Sequence, residues 1–125
     1  MEIQVTIPIE PMGKPRMTQR DKWAKRPAVQ RYWLFKDSLK AAFAMYDLTD
    51  IHSVSIKAFF SIPKSWSKIK KQALSGEHHQ EKPDIDNVLK ACMDSLFVND
   101  AKIYYVKASK YWEDSMGPRI EVELY

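Results

Sequence analysis

Segments with strand periodicity and segments with helix periodicity succeed one another along the 125-residue chain. Apolar and polar residues alternate from Ile3 to Ile9, whereas apolar residues recur every three or four positions from Pro27 to about Tyr46. A segment rich in β-branched and aromatic residues follows, from about Ser53 to Ser61. The remaining sequence adds two helices and then two strands, giving the order β-α-β-α-α-β-β. This order predicts an α+β fold in which helices cover one mixed or mainly antiparallel sheet.

The later elements are predicted from shorter patterns. A short helix is expected from near Ser65 to Leu74, and a third helix over the segment DIDNVLKACMDSLF, which begins at Asp84. The last two strands, from Lys102 to Trp112 and from Arg119 to Tyr125, are expected to pair as an antiparallel hairpin. Because a chain of this length has room for one core, residues 1–125 are expected to form a single domain.

Composition excludes several classes of protein. With 45% hydrophobic residues, the chain can bury a core, which argues against intrinsic disorder. The single cysteine, Cys92, cannot form an intramolecular disulfide, so a reducing compartment is expected. The first residues lack the positive charge of a signal peptide, and no stretch approaches the roughly 20 apolar residues of a membrane span. We therefore expect a cytoplasmic protein without a membrane partner.

Positive charge is concentrated in one part of the chain. Residues 11–40 contain nine lysines and arginines against two acidic residues, although the formal net charge of the whole chain is only +4. Such a segment suits contact with nucleic-acid phosphates. The lysines of residues 64–71 either contact DNA as well or are simply solvated, and Trp23 either packs on its own domain or stacks on an unpaired base. The candidate DNA-binding residues are Lys14, Arg16, Arg20, Lys22, Lys25, Arg26, Lys68 and Lys71.

Carboxylates are concentrated at the third helix. Asp84 and Asp86 fall at its expected start, and Asp100 follows its expected end. One interpretation is structural, because acidic residues at a helix N-terminus accept hydrogen bonds from its free amides. The other is a metal site: if the three carboxylates converge, their hard oxygen ligands suit Mg²⁺ or Mn²⁺ rather than zinc. An EF-hand is excluded because Val88 and Leu89 occupy positions that need an oxygen ligand and a glycine.

A polar seam is expected beside the apolar stripe of this helix. Asp86, Lys90 and Asp94 follow one another at intervals of four residues, with Asn87 adjacent. The structural interpretation of the seam is a pair of surface ion pairs, Asp86 with Lys90 and Lys90 with Asp94. The neighbouring His78 and His79 lack the spacing of metal ligands, and we interpret both as solvated loop residues.

The segment KPDIDNVLK, from Lys82 to Lys90, followed by DSL at Asp94 and NDAKI from Asn99, resembles the core signature of RusA-type Holliday-junction endonucleases. That signature is approximately D-x-D-N-x-x-K-x-x-x-D-x-L, then a turn, then Asp or Asn followed by Asp. The basic Gly-Lys-Pro-Arg loop, from Gly13 to Arg16, is similar more loosely. Asn99 departs from members that have two consecutive aspartates at this point.

The resemblance implies a role for each matching residue. It implies that Asp84, Asp86 and Asp100 are catalytic and bind Mg²⁺, with Mn²⁺ as an alternative, and that Lys90 lies beside the scissile phosphate. It implies a metal-dependent hydrolase of four-way or branched DNA that acts as a homodimer, without a small-molecule organic cofactor, from a phage or bacterial source. Two alternatives stay open: a branched-DNA-binding module without catalysis, and a nuclease acting on other branched nucleic acids.

Overall fold

The structure of the protein is a computed structural model, in which residues 2–16 and 26–125 are described. Their elements follow in the order β1 (Ile3–Ile7), α1 (Pro27–Phe43), β2 (Ser53–Phe60), α2 (Lys68–Leu74), α3 (Ile85–Leu96), β3 (Tyr105–Trp112) and β4 (Arg119–Leu124). The predicted α+β class and the predicted order of elements are confirmed.

The four strands form one mixed sheet in the order β1-β4-β2-β3. β4 is antiparallel to both of its neighbours, and β2 is parallel to β3. The expected hairpin of the last two strands is therefore wrong, because β2 lies between them. Burial explains the difference: Ile120, Val122 and Leu124 are fully buried, as suits a central strand, whereas residues 105–107 of β3 are exposed, as suits an edge.

Helices α1 and α3 pack on each other and on the sheet. The apolar stripe predicted for α1 is confirmed, since Tyr32, Phe35, Leu39 and Phe43 are all buried. α1 ends at Phe43, earlier than the predicted end near Tyr46, whose side chain is exposed. In α3, Cys92 is buried in the same core, and its burial raises the pKa of the thiol to about 12.

A second, smaller core cluster lies around Trp112 and Phe60. A histidine that we expected in solvent packs against it: the buried ring of His79 contacts both of these aromatic rings, at centroid distances of 4.3 Å to each. The interpretation of His79 as a solvated residue is wrong because it is buried against these rings. Burial, and next the nearby Lys110, lower the pKa of His79 and so favour the neutral imidazole. His78 is exposed, as expected.

No helix in the described residues is both long enough and apolar enough to cross a membrane.

Candidate functional site

Asp84 occupies the N-cap position of α3, with an extended backbone (φ −65°, ψ 148°). Its carbonyl oxygen accepts hydrogen bonds from the amides of Asn87 and Val88, at 3.1 Å each. Its carboxylate does not cap the described amides of the helix. Instead, the carboxylate accepts hydrogen bonds of 2.9 and 3.1 Å from Nζ of Lys82, and both side chains are mostly exposed. The carboxylate of Asp84 is thus open to solvent.

The polar seam of α3 does not form the ion pairs that its spacing suggested. The Asp94 carboxylate forms its ion pair with Lys14, at 2.5 Å between Oδ2 and Nζ, and not with Lys90. Asp86 lies in the first turn of α3 and is exposed, like Lys90 one turn later. Within residues 2–16 and 26–125, neither Asp86 nor Lys90 forms a salt bridge. The surface-pair interpretation of the seam is therefore wrong, and both charged groups face solvent.

The Gly-Lys-Pro-Arg loop, residues 13–16, packs against the first turn of α3. The Lys14 amide donates a 3.2 Å hydrogen bond to the Asn87 carbonyl, in addition to the ion pair with Asp94. A Cβ atom at Gly13 would lie 3.0 Å from Cβ of Pro83 and 3.1 Å from Cβ of Asn87. The close approach of the loop to the helix thus favours glycine at this position.

We expect Gly13→Ala to loosen this loop. Both atoms that the new methyl group meets are Cβ atoms close to the backbone, so neither moves away easily, and overpacking of this kind costs about 1–3 kcal/mol. Thermal unfolding should show a lower Tm than the parent protein. Ser115→Ala, at an exposed turn position, is the control and should leave Tm unchanged. An unchanged Tm for Gly13→Ala would contradict the tight seating of the loop.

A cationic cleft lies between the loop and α3. Its volume is about 460 Å³, and it is lined by Lys14, Pro15, Arg16, Asn87 and Lys90. Three of these five residues carry positive charge, and Asn87 is the neighbour of Asp86. Lysine and arginine side chains that converge on one cleft are suited to hold phosphate oxygens. The first turn of α3 thus combines two exposed carboxylates with an adjoining site for an anion.

A larger and more open pocket adjoins Asp84. Its volume is about 830 Å³, and it is lined by His79, Gln80, Glu81, Lys82, Asp84, Ile85 and Lys110.

Asp100 lies beyond the opposite end of α3. Since a helix rises about 1.5 Å per residue, the twelve residues of α3 separate its two ends by about 18 Å. The segment after Asp100 is held against the loop between α1 and β2, because Nζ of Lys102 donates a 3.0 Å hydrogen bond to the carbonyl of Leu48. Across the described ranges, no three Asp, Glu, His or Cys side chains are grouped so as to hold a metal ion. One chain thus brings Asp84 and Asp86 to one end of α3 and leaves Asp100 at the other.

The predicted DNA-binding residues fall into separate groups. Arg20, Lys22 and Lys25, together with Trp23, lie outside the described residues. Lys14 and Arg16 line the cationic cleft, and Nη2 of Arg26 donates a 3.0 Å hydrogen bond to the Arg16 carbonyl. Lys68 and Lys71 lie on α2, which buries none of its residues.

Sequence reasoning missed Lys110. Its ammonium donates hydrogen bonds to the carbonyls of Glu81, at 2.6 Å, and Pro83, at 2.7 Å. These carbonyls belong to the residues three positions and one position before Asp84, yet they are far from Lys110 in sequence. A bond from a side chain to a distant backbone carbonyl requires no particular residue at the accepting position, so a single sequence contains no signal for it.

Two comparisons with known proteins place the chain in a family. An uncharacterized protein of Bacillus subtilis (strain 168), YqaN, is 29% identical to the chain over 136 residues, which cover 98% of this chain and 94% of that protein. Residues 8–125 match the family described as Endodeoxyribonuclease RusA. Because this match includes nearly the whole chain, with both the loop at Gly13 and the acidic helix, the protein belongs to the RusA endodeoxyribonuclease family.

Proposed function

We propose that the protein is a metal-dependent endonuclease that resolves four-way DNA junctions as a homodimer. Membership of the RusA family implies a DNA substrate and suggests Holliday-junction resolution. The observation that carries the proposal is the first turn of α3, where the exposed Asp84 and Asp86 adjoin a cleft lined by three cations.

The chemistry of the available donors fits Mg²⁺. Carboxylate oxygens are the hard ligands that this ion prefers, and the exposed pair with Lys82 holds Asp84 only weakly. We infer that Asp84 and Asp86 would hold the ion, with water and substrate phosphate as further ligands. When bound, the ion would supply a water molecule of lowered pKa and would offset negative charge on the phosphate.

The cations of the cleft have distinct roles in this proposal. Lys90 lies one helical turn after Asp86 and therefore projects from the same side of α3. Its ammonium has no salt bridge within the described chain. It can therefore stabilise the negative charge that develops on the phosphate during cleavage. Lys14 is held by Asp94, so its charge stays at the edge of the cleft, where it would bind the DNA backbone.

The separation of Asp100 from the other two carboxylates supports a dimer. If Asp100 is to act with Asp84 and Asp86, it would come from a second copy of the chain, because in one copy Asp84 and Asp86 lie at the start of α3, which is about 18 Å long, and Asp100 follows its other end. Val98 and residues 104–106, close to Asp100 in sequence, expose apolar or aromatic side chains that a partner would cover. A two-fold dimer would then contain two equivalent sites, one for each of the two cuts that resolve a junction.

The cleft cations should contribute to junction binding through the phosphates. Lys90→Met and Arg16→Met should each lower the slope of log affinity against log salt concentration by about one. Fluorescence anisotropy with a labelled junction in EDTA measures this slope without cleavage. Lys57→Met removes an exposed charge from β2, away from the cleft, and should leave the slope as it is. Slopes unchanged in both cleft variants would contradict a phosphate-binding role.

The function itself is tested with a synthetic mobile four-way junction and Mg²⁺. Two symmetric nicks in opposed strands are the expected products. Salt-sensitive junction binding without cleavage in Mg²⁺ or Mn²⁺ would instead identify a DNA-structure-binding module. Faster cleavage of flaps or of branched RNA than of intact junctions would identify a nuclease of another substrate class.

A further inference from the structure

The position of Asp84 needs an explanation, because its own side chain does little to secure it. The carboxylate makes no capping bond to the described part of α3, and its pair with Lys82 joins two mostly exposed side chains. Exposed pairs of this kind contribute only about 0–1 kcal/mol. A metal ligand, in contrast, must be held within about 0.5 Å of its working position. The backbone that precedes Asp84 must therefore supply the missing constraint.

That backbone is attached to the edge strand β3. Residues 77–79 pair with β3, through hydrogen bonds from the Trp112 amide to the Glu77 carbonyl (2.8 Å) and from the His79 amide to the Lys110 carbonyl (3.1 Å). The His79 ring, buried against aromatic rings, secures this end of the segment. Pairing with β3 does not continue beyond residue 79 in the described structure, so another contact must hold residues 80–83.

Lys110 supplies that contact. Its Nζ donates to the carbonyls of Glu81 and Pro83, at 2.6 and 2.7 Å, and the bond to Pro83 is partly buried. The Pro83 carbonyl belongs to the peptide bond that joins Pro83 to Asp84, so the ammonium fixes the plane of that peptide and the direction in which the chain enters α3. Lys110 itself is fixed by β3, where it pairs with Ala58 of β2 in the sheet.

We propose that Lys110 is a positioning residue for Asp84. Its charge-assisted hydrogen bonds to the two carbonyls hold the backbone of residues 81–83 on the sheet, and Asp84 then presents its carboxylate at a constant place relative to Asp86. This inference rests on the proposed metal-dependent function. It assigns Lys110 an effect on metal affinity, whereas a lysine that contacts DNA would affect junction affinity.

The test measures metal binding on the whole protein without DNA. Mn²⁺ is the probe, because electron paramagnetic resonance reports the free ion directly. Lys110→Met, which keeps the length of the side chain but removes its donors, should weaken Mn²⁺ binding by about 10- to 100-fold. Amide hydrogen exchange at residues 80–86 should become faster in the same variant without any metal. Junction affinity in EDTA should equal that of the parent.

Matched variants separate this role from general effects. Lys107 is an exposed residue of β3 that pairs with Ser55 of β2 in the same sheet. Lys107→Met removes the same charge as Lys110→Met and should leave Mn²⁺ affinity, amide exchange and junction affinity unchanged. Lys110→Arg keeps a cation with N–H donors and should restore part of the Mn²⁺ affinity. If Lys110→Met does not fold, Lys110→Gln is compared with the parent protein in its place. Glutamine keeps an N–H donor group but removes the positive charge.

The outcomes distinguish the inference from the function on which it rests. If Asp84→Asn loses Mn²⁺ binding but Lys110→Met retains it, the role of Lys110 is overturned and the metal site stands. If Lys110→Met binds Mn²⁺ normally but binds the junction weakly, Lys110 contacts DNA and is not a positioning residue. If Asp84→Asn binds Mn²⁺ as tightly as the parent, the metal site at Asp84 is wrong, and the role of Lys110 falls with it.

Discussion

Asp84→Asn and Asp86→Asn should each abolish junction cleavage and leave junction binding intact. Asparagine keeps the size of the side chain but removes the charge that a divalent cation requires, so we expect the cleavage rate to fall by about 10²-fold or more. Both positions are exposed, and neither carboxylate supports the packing of α3. The loss of Asp86 from the first helical turn should cost stability of only about 0.3–1 kcal/mol.

Single-turnover cleavage of a labelled junction in Mg²⁺ measures the rate, and anisotropy in EDTA measures binding. Asp37→Asn is the control: it removes a negative charge of the same kind from the exposed side of α1, far from α3 in sequence. This variant should cleave the junction at the parental rate. Junction binding retained in EDTA would exclude misfolding as the reason for lost cleavage. A variant that retains the parental rate would show that its carboxylate holds no catalytic metal.

A mixture of two inactive variants should regain cleavage. Asp86→Asn and Asp100→Asn should each be inactive alone, because every site of either homodimer lacks one carboxylate. In a mixed dimer whose sites take Asp86 from one chain and Asp100 from the other, one site carries both substitutions and the second site carries none. With random exchange of equal amounts, half of the dimers are mixed, so about a quarter of the wild-type number of sites is restored.

The mixture is measured as nicking after subunit exchange, with each variant alone as the baseline. Mixed dimers have one working site, so single nicks should accumulate instead of paired cuts. Asp84→Asn mixed with Asp86→Asn is the matched control, since both residues lie at the same end of α3, and every site of that mixed dimer has one substitution. No recovery in the Asp86 and Asp100 mixture would show that the second copy does not supply Asp100.

The fold could be predicted from the sequence wherever a local pattern decides it. Pro27 begins α1 as predicted, because proline at the first helical position loses no hydrogen bond and already has a helical φ angle. The pairing of the last two strands could not be predicted in this way. Their proximity in sequence favours a hairpin, but the apolar strand β4 is more stable in the middle of the sheet, between β1 and β2, than at its edge.

The candidate site was predictable in its residue types but not in its geometry. The spacing of Asp86 and Lys90 along one helix settles their relation, since helical periodicity is regular, whereas Asp84 is the N-cap and lies outside that periodicity. The relation of Asp100 to them depends on a turn and on tertiary contacts, which leave no period in the sequence. The same holds for the ion pair between Lys14 and Asp94 and for the carbonyls bound by Lys110.

The central place of β4 also affects how the chain folds during its synthesis. β4 pairs with β1, in the register Ile3 with Leu124, and it also pairs with β2. A nascent chain that has not yet been translated as far as β4 contains the whole acidic helix, but it lacks Ile120, Val122 and Leu124, which belong to the same core cluster as the buried residues of α3. Contacts between residues so distant in sequence also form late in folding. The ribosome therefore completes the acidic helix before the central strand of the sheet that supports it has been made.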